Sequence, residues 1–194
     1  MFREHGSHSM SESERLALRL CSNDLSGVHM TGDHTDRIFK HGSLVEEREG
    51  HNLVVTSFLR LVMCMLKRQE GYTGIQYWAV GSGIDTWDAD IPTPDIDATR
   101  LTLETGRAPI LPEDMTFLDE DFNPVDTPTN IIQIKHLFRE GDCNGVWREF
   151  GLFGGNATEA PNSGIIVNKR HHAILTKTEE MTVERIMRFT LSLV

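Results

Sequence analysis

The chain has 194 residues, 39% hydrophobic and 25% charged, which suits one folded domain with appendages and excludes a wholly disordered chain. A formal net charge of −10 argues against general nucleic-acid binding, which needs a cationic surface to release counterions. Cys21, Cys64 and Cys143 lie far apart and none has CxxC spacing, so neither a zinc knot nor a disulfide framework is expected.

Met1–Glu14 is polar and lacks the apolar core of a signal peptide. Residues 1–35, rich in Ser, His and Gly, read as a flexible N-terminal arm, and residues 36–194 as one domain. Residues 36–50 read as one or two short strands or a hairpin. The segment from Asn52 to Gln69 is the strongest helix: Asn52 is a plausible N-cap, and Lys67 and Arg68 suit the negative end of the helix dipole. Leu53 to Leu66 is apolar nearly all round, which predicts a buried helix. It is too short to cross about 30 Å of hydrocarbon, and Arg60 interrupts it.

Ile75–Val80 reads as a strand stopping at the Gly81–Ser82–Gly83 turn. Two irregular excursions follow, an acidic loop over 84–99 and a Pro-rich acidic one over 109–128, with an ambiguous element, Leu101–Arg107, between them. Strand patterns return at Asn130–Phe138, Trp147–Phe153, Gly164–Asn168 and His172–Leu175. At the end, Met187, Phe189, Leu191 and Leu193 alternate with Arg188, Thr190 and Ser192, the period of a half-buried strand. The fold class is therefore mainly β (α+β): an antiparallel β-sandwich with one buried helix near residues 52–69 and long acidic loops.

Motifs for catalysis are sparse. Gly81–Ser82–Gly83 lacks the Lys and Ser/Thr of a phosphate loop, and no GxSxG, HExxH or HxH is present. His171 and His172, adjacent on a strand, would face opposite sides and could not chelate one ion together. Asp85, Asp88 and Asp90 crowd the first acidic loop and are the candidate ligands for a loop-bound Ca²⁺, although no EF-hand spacing is present and a solvated loop is the simpler reading. Trp87 in that loop is either a sugar platform or an anchor. In VWREFGLFGG (146–155), Arg148 and Glu149 sit inside an apolar run; a buried Glu149 must meet a partner.

Four segments in order resemble a group of tailed-phage virion proteins that sit at tail, baseplate or neck and carry fibres. They are GSLVEEREGHNLVVTSFLRLV (42–62), YWAVGSG (77–83), TRLTLETGR (99–107) and WREFGLFGG (147–155), the last followed by Lys177–Thr178 and the closing strand. The resemblance spans 42–194 and departs from the pattern in the long acidic loop and in the Pro-rich 108–130. It implies a non-enzymatic adaptor or collar, neck or tail component without cofactor. Its partners would be its own copies and other virion proteins, not nucleic acid or membrane, and its place the virion, assembled in the host cytoplasm. It also implies Arg107 as the partner of Glu149, with Arg148 the local alternative, and Trp147, Glu149, Leu152 and Phe153 as structural or assembly residues. The alternative is a carbohydrate- or receptor-binding sandwich with a Ca²⁺-assisted acidic loop; a hydrolase using loop carboxylates is a third reading. Aspartate at Leu59 or at Phe153 is expected to bury an unpaired charge.

Overall fold

A computed structural model describes residues 28–193. Eleven strands form two antiparallel sheets. In chain order they are β1 (Val28–Lys40), β2 (Ser43–His51), β3 (Leu53–Val54), helix α1 (Ser57–Lys67), β4 (Thr73–Gly81), β5 (Glu104–Pro109), β6 (Met115–Leu118), β7 (Pro124–Val125), β8 (Ile131–Phe138), β9 (Gly145–Gly155), β10 (Ile165–Lys177) and β11 (Met181–Leu193). The first sheet runs β2-β1-β11-β8-β6-β7 and the second β3-β10-β9-β4-β5. This is the expected sandwich.

The sheets enclose one core. Ile38, Ile134, Phe138, Val183, Met187 and Phe189 from the first meet Trp78, Val80, Trp147, Phe150, Leu152 and Val167 from the second. A smaller cluster lies on the other side of the second sheet, where Val55, Ala79, Leu101, Phe153, Ala157 and Ile166 pack together. The second sheet is thus buried on both faces, which is why β9 reads as a near-continuous apolar run. The covering layer includes the chain from Ser82 to Leu103, whose Ser82 N–H bonds the Leu103 carbonyl at 3.0 Å.

Four expectations change, one of them that the excursion over 109–128 is irregular: it holds β6 and β7, the far edge of the first sheet. The arm does not extend to residue 35, because β1 pairs with β11 from Val28↔Leu193 onward; residues 1–27 of the expected arm lie outside the described residues. Two inward positions of β1 are the polar His34 and Asp36, 5% and 2% exposed, so its alternation is invisible to an apolar pattern. The two short strands expected at 164–168 and 172–175 are one strand, β10, whose register slips between Ile166 and Asn168 and between His171 and Leu175.

The helix is shorter than expected and is not buried. The Asn52 N–H bonds the Gly32 carbonyl, Leu53–Val54 pair with β10, and helix begins only at Ser57. It stops where Arg68 turns left-handed (φ 53) and its N–H reaches the Cys64 and Met65 carbonyls. Ser57 and Leu61 alone in α1 are buried, whereas Leu59, Met63 and Leu66 are 58%, 63% and 73% exposed. An aspartate at Leu59 therefore would bury no charge. Among the described residues no helix is long and apolar enough to cross a membrane.

Candidate functional site

β9 carries the candidate residues, and a kink in its pairing with β10 turns two consecutive charged side chains, Arg148 and Glu149, away from the inter-sheet core. Gly81 of β4 makes room for this: a Cβ there would sit 2.8 Å from a Glu149 carboxylate oxygen and 2.6 Å from the Leu103 carbonyl. At Gly83 the backbone is left-handed (φ 56), and a Cβ would strike the Trp87 ring.

Glu149 is fully buried. Its carboxylate accepts from the Leu103 N–H at 2.8 Å and the Thr102 N–H at 3.0 Å, and Lys169 Nζ lies 3.2 Å away. Lys169 also donates to Thr102 Oγ1 at 3.0 Å. The partner of Glu149 is thus Lys169 together with two backbone amides, not Arg107 or Arg148. Arg107 instead forks onto Glu104 at 2.6 and 2.9 Å, donates to the Thr158 carbonyl at 2.6 Å, and lies over the Phe153 ring at 4.8 Å. Arg148 grips Asp88 through two bonds of 2.7 and 2.8 Å, holds the Ser82 carbonyl at 3.0 Å, and reaches Asp85 at 3.0 Å. These bonds hold the Asp88 carboxyl below its ordinary range.

The acidic loop is therefore tied down by ion pairs. Asp85 and Asp88 face the Arg148 guanidinium, and among the described residues no group of three His, Cys, Asp or Glu, with or without Asp90, could hold a metal ion. Trp87 is an anchor: 8% exposed, it stacks on His171 with centroids 4.0 Å apart. His171 Nδ1 in turn meets the Pro92 carbonyl at 2.8 Å. Its neighbour His172 points the other way, into the core beside Phe150, as alternation requires. Trp147, Leu152 and Phe153 have no exposed surface, so they shape the domain and cannot touch a neighbouring subunit. Aspartate at Phe153 would indeed bury a charge.

A second polar group, between the sheets, escapes a sequence reading. Arg185 of β11 and Asp36 of β1 make two bonds of 2.6 Å, with Arg185 fully buried and its guanidinium 4.0 Å from the Phe150 ring centroid. Stepping back by two from Met187 along β11 lands on Arg185, so the period held its signal. His34 and His172 flank the pair. Burial takes the His34 imidazole down to about 4, with Asp36 opposing and Arg185 and Arg170 adding to the effect. Burial, then Arg185, takes His172 down to about 3. For Asp36, burial pushes the carboxyl up, but the charge and hydrogen bonds of Arg185 outweigh it and the net shift is downward.

These shifts give a pH dependence. Unfolded histidines take protons near pH 6.5, whereas His34 and His172 refuse them until about 4 and 3, so the unfolded state binds more protons throughout that window. Stability is complete above pH 6.5 and falls as pH drops towards 3, with Asp36 adding its own loss below the ordinary carboxyl range. His34 alone contributes on the order of 3 kcal/mol. Urea midpoints at pH 7, 5.5 and 4.5 should decline at constant slope; a flat series would mean that the two imidazoles titrate as in free peptide.

The third feature is α1. Leu61 packs onto the second sheet, its side chain meeting Gly154, while Leu59, Met63 and Leu66 form a ridge on the open side. Beside it, a groove of about 460 Å³ is lined by Met30, Leu53, Val54, Phe58, Leu59 and Ile96, among others. No family model, no curated protein and no solved structure matches this chain.

Proposed function

We propose that the chain is a non-enzymatic structural module of a tailed-phage virion, an adaptor or collar, neck or tail component that joins the tail to fibres by subunit contacts. The observation that carries the assembly part is the α1 ridge: three large apolar side chains more than half exposed on one face of a helix that is otherwise seated on the sheet. The virion part rests on the four ordered segments. Three of them meet in the charged layer on the second sheet. YWAVGSG supplies Gly81, Gly83 and the Ser82 carbonyl; TRLTLETGR supplies Glu104, Arg107 and the amides of Thr102 and Leu103; WREFGLFGG supplies Arg148, Glu149 and Phe153. The fourth, 42–62, supplies half of α1 and its ridge residue Leu59.

On this reading the partners are its own copies and neighbouring virion proteins, and its place is the particle, assembled in the host cytoplasm. The sugar-binding alternative loses its two supports, since Trp87 is stacked on His171 and Asp85 and Asp88 face Arg148. The test is mass spectrometry and antibody-labelled electron microscopy of purified particles from the phage that encodes the chain. A fixed copy number and label at the neck, tail or baseplate are expected. Absence from particles that carry all their other proteins would overturn the reading.

A further inference from the structure

Asn144 is followed by Gly145, the one Asn-Gly step in the chain. The step ends the loop between β8 and β9, and both residues are exposed. Gly145 has φ 135, and a Cβ there would meet nothing within 4 Å. β4 pairs with β9 only as far as Glu149, so Gly145 has a strand, β10, on one side alone. Neither a side chain of its own nor one packed against that position crowds its amide nitrogen.

Under the loop stands a buried lysine. Lys177, 1% exposed, lies in register with Gly145 and donates to the Arg139 carbonyl and to Asn144 Oδ1, both at 2.7 Å. An ammonium only donates, so it is the oxygen of the Asn144 amide that faces it. Among the described residues Lys177 joins no salt bridge, unlike Lys40, Lys135 and Lys169. Burial pushes its ammonium down, with Asp142 leading the opposition. A buried cation thus ends on two neutral oxygens, and one of them is the atom that gains charge when an asparagine loses its amide.

We propose that Asn144 is a self-modification site, where attack by the Gly145 nitrogen turns the amide into a carboxylate that pairs with Lys177. The Gly145 nitrogen gives its proton to water and bonds to Asn144 Cγ. Negative charge gathers on Oδ1, to which the Lys177 ammonium already donates, the arrangement of an oxyanion site. The Cγ–Nδ2 bond then breaks, and Nδ2 takes a proton from water and leaves as ammonia. One water opens the resulting five-membered imide. Cleavage of the new N–Cγ bond yields aspartate, whereas cleavage of the original peptide bond yields isoaspartate, with the main chain routed through the side chain. The net change is one water in and one ammonia out.

The fold selects the first product. An extra backbone carbon at position 144 would disturb the register of Gly145 with Lys177 and the 2.7 Å bond from Trp147 Nε1 to the Cys143 carbonyl. Aspartate instead keeps the backbone and sets a charged oxygen against the ammonium, a stronger bond than the amide makes.

The test is intact mass and peptide mapping of the full folded chain held for weeks at neutral pH. The expected result is a gain of a single dalton at Asn144 ahead of every other asparagine, with aspartate exceeding isoaspartate. The same chain unfolded in urea should give mostly isoaspartate. Lys177→Met should slow the conversion at least about ten-fold, since the donor to the developing oxyanion is gone. Asn144→Asp, a change at an exposed position, should raise the urea midpoint of the parent chain and lose that gain in the Lys177→Met background. Three results overturn the proposal, and each is readable in the parent chain or in Asn144→Asp even if Lys177→Met does not fold. They are an Asn144 that stays amide while other asparagines convert, isoaspartate as the main product of the folded chain, and a urea midpoint lowered by Asn144→Asp. A conversion rate unchanged in folded Lys177→Met does the same.

Discussion

Arg185→Ala should cost the fold about 3–5 kcal/mol, a large part of what a domain of this size has to lose. The deletion leaves the Asp36 carboxylate buried at 2% exposure with neither of its two guanidinium bonds, and removes the plane that fills the space over Phe150. Urea unfolding at pH 7 is the measurement, and the midpoint should fall without a change of slope. Removing both charges is a different matter. Asp36→Leu with Arg185→Met keeps the volume apolar and leaves neither partner stranded, so the double variant should recover most of the loss and restrict the pH dependence to the histidines. A loss below about 1 kcal/mol in the single variant would mean that the pair behaves as a surface salt bridge.

Glu149→Ala should be nearly as damaging, at about 3 kcal/mol, and its damage should be local. The fully buried side chain satisfies two part-buried backbone amides and faces the buried Lys169 ammonium, and all three would be left unmatched. The chain from Ser82 to Leu103 should then lift from the second sheet while the inter-sheet core holds. Amide hydrogen exchange is the check: protection should fall at residues 84–103 and stay high in β8 and β11. Arg148→Ala should loosen the first half of the same loop, because Asp88 and the Ser82 carbonyl share that guanidinium. Equal loss of protection in both sheets would show that the loop and the sandwich unfold as one unit.

Much of this fold could be read from period-two patterns, and the exceptions share a cause. β4, β8, β9 and the second half of β11 present apolar residues to the core and were legible as strands. β1 was not, since the polar His34 and Asp36 occupy core positions and the arginine that answers Asp36 stands on β11. β10 was broken in two by bulges, which shift side chains between faces without leaving a compositional trace. For α1 the residues show apolar character on nearly every side, but which side finds a cover is decided by where the second sheet ends. The importance of Arg148 and Glu149 was visible as charge inside an apolar run, while Arg107 came only from the resemblance; their pairings were not visible. Glu149 is answered mostly by backbone amides, and any sequence offers an amide at almost every position.

The pairing of β1 with β11 joins Val28 to Leu193 and continues in register to Lys40 and Met181. These strands lie inside the first sheet, flanked by β2 and β8, so adjacent interior strands come from the two most distant parts of the described chain. A ribosome delivers β1 long before β11 exists, and until then β1 and its hairpin partner β2 hold an open edge with Asp36 lacking its arginine. The second sheet, by contrast, can gather β3, β4, β5, β9 and β10 before the last strand emerges. Folding is thereby ordered in time: the second sheet can assemble early, and insertion of β11 closes the molecule late, at the entropic cost of joining distant segments.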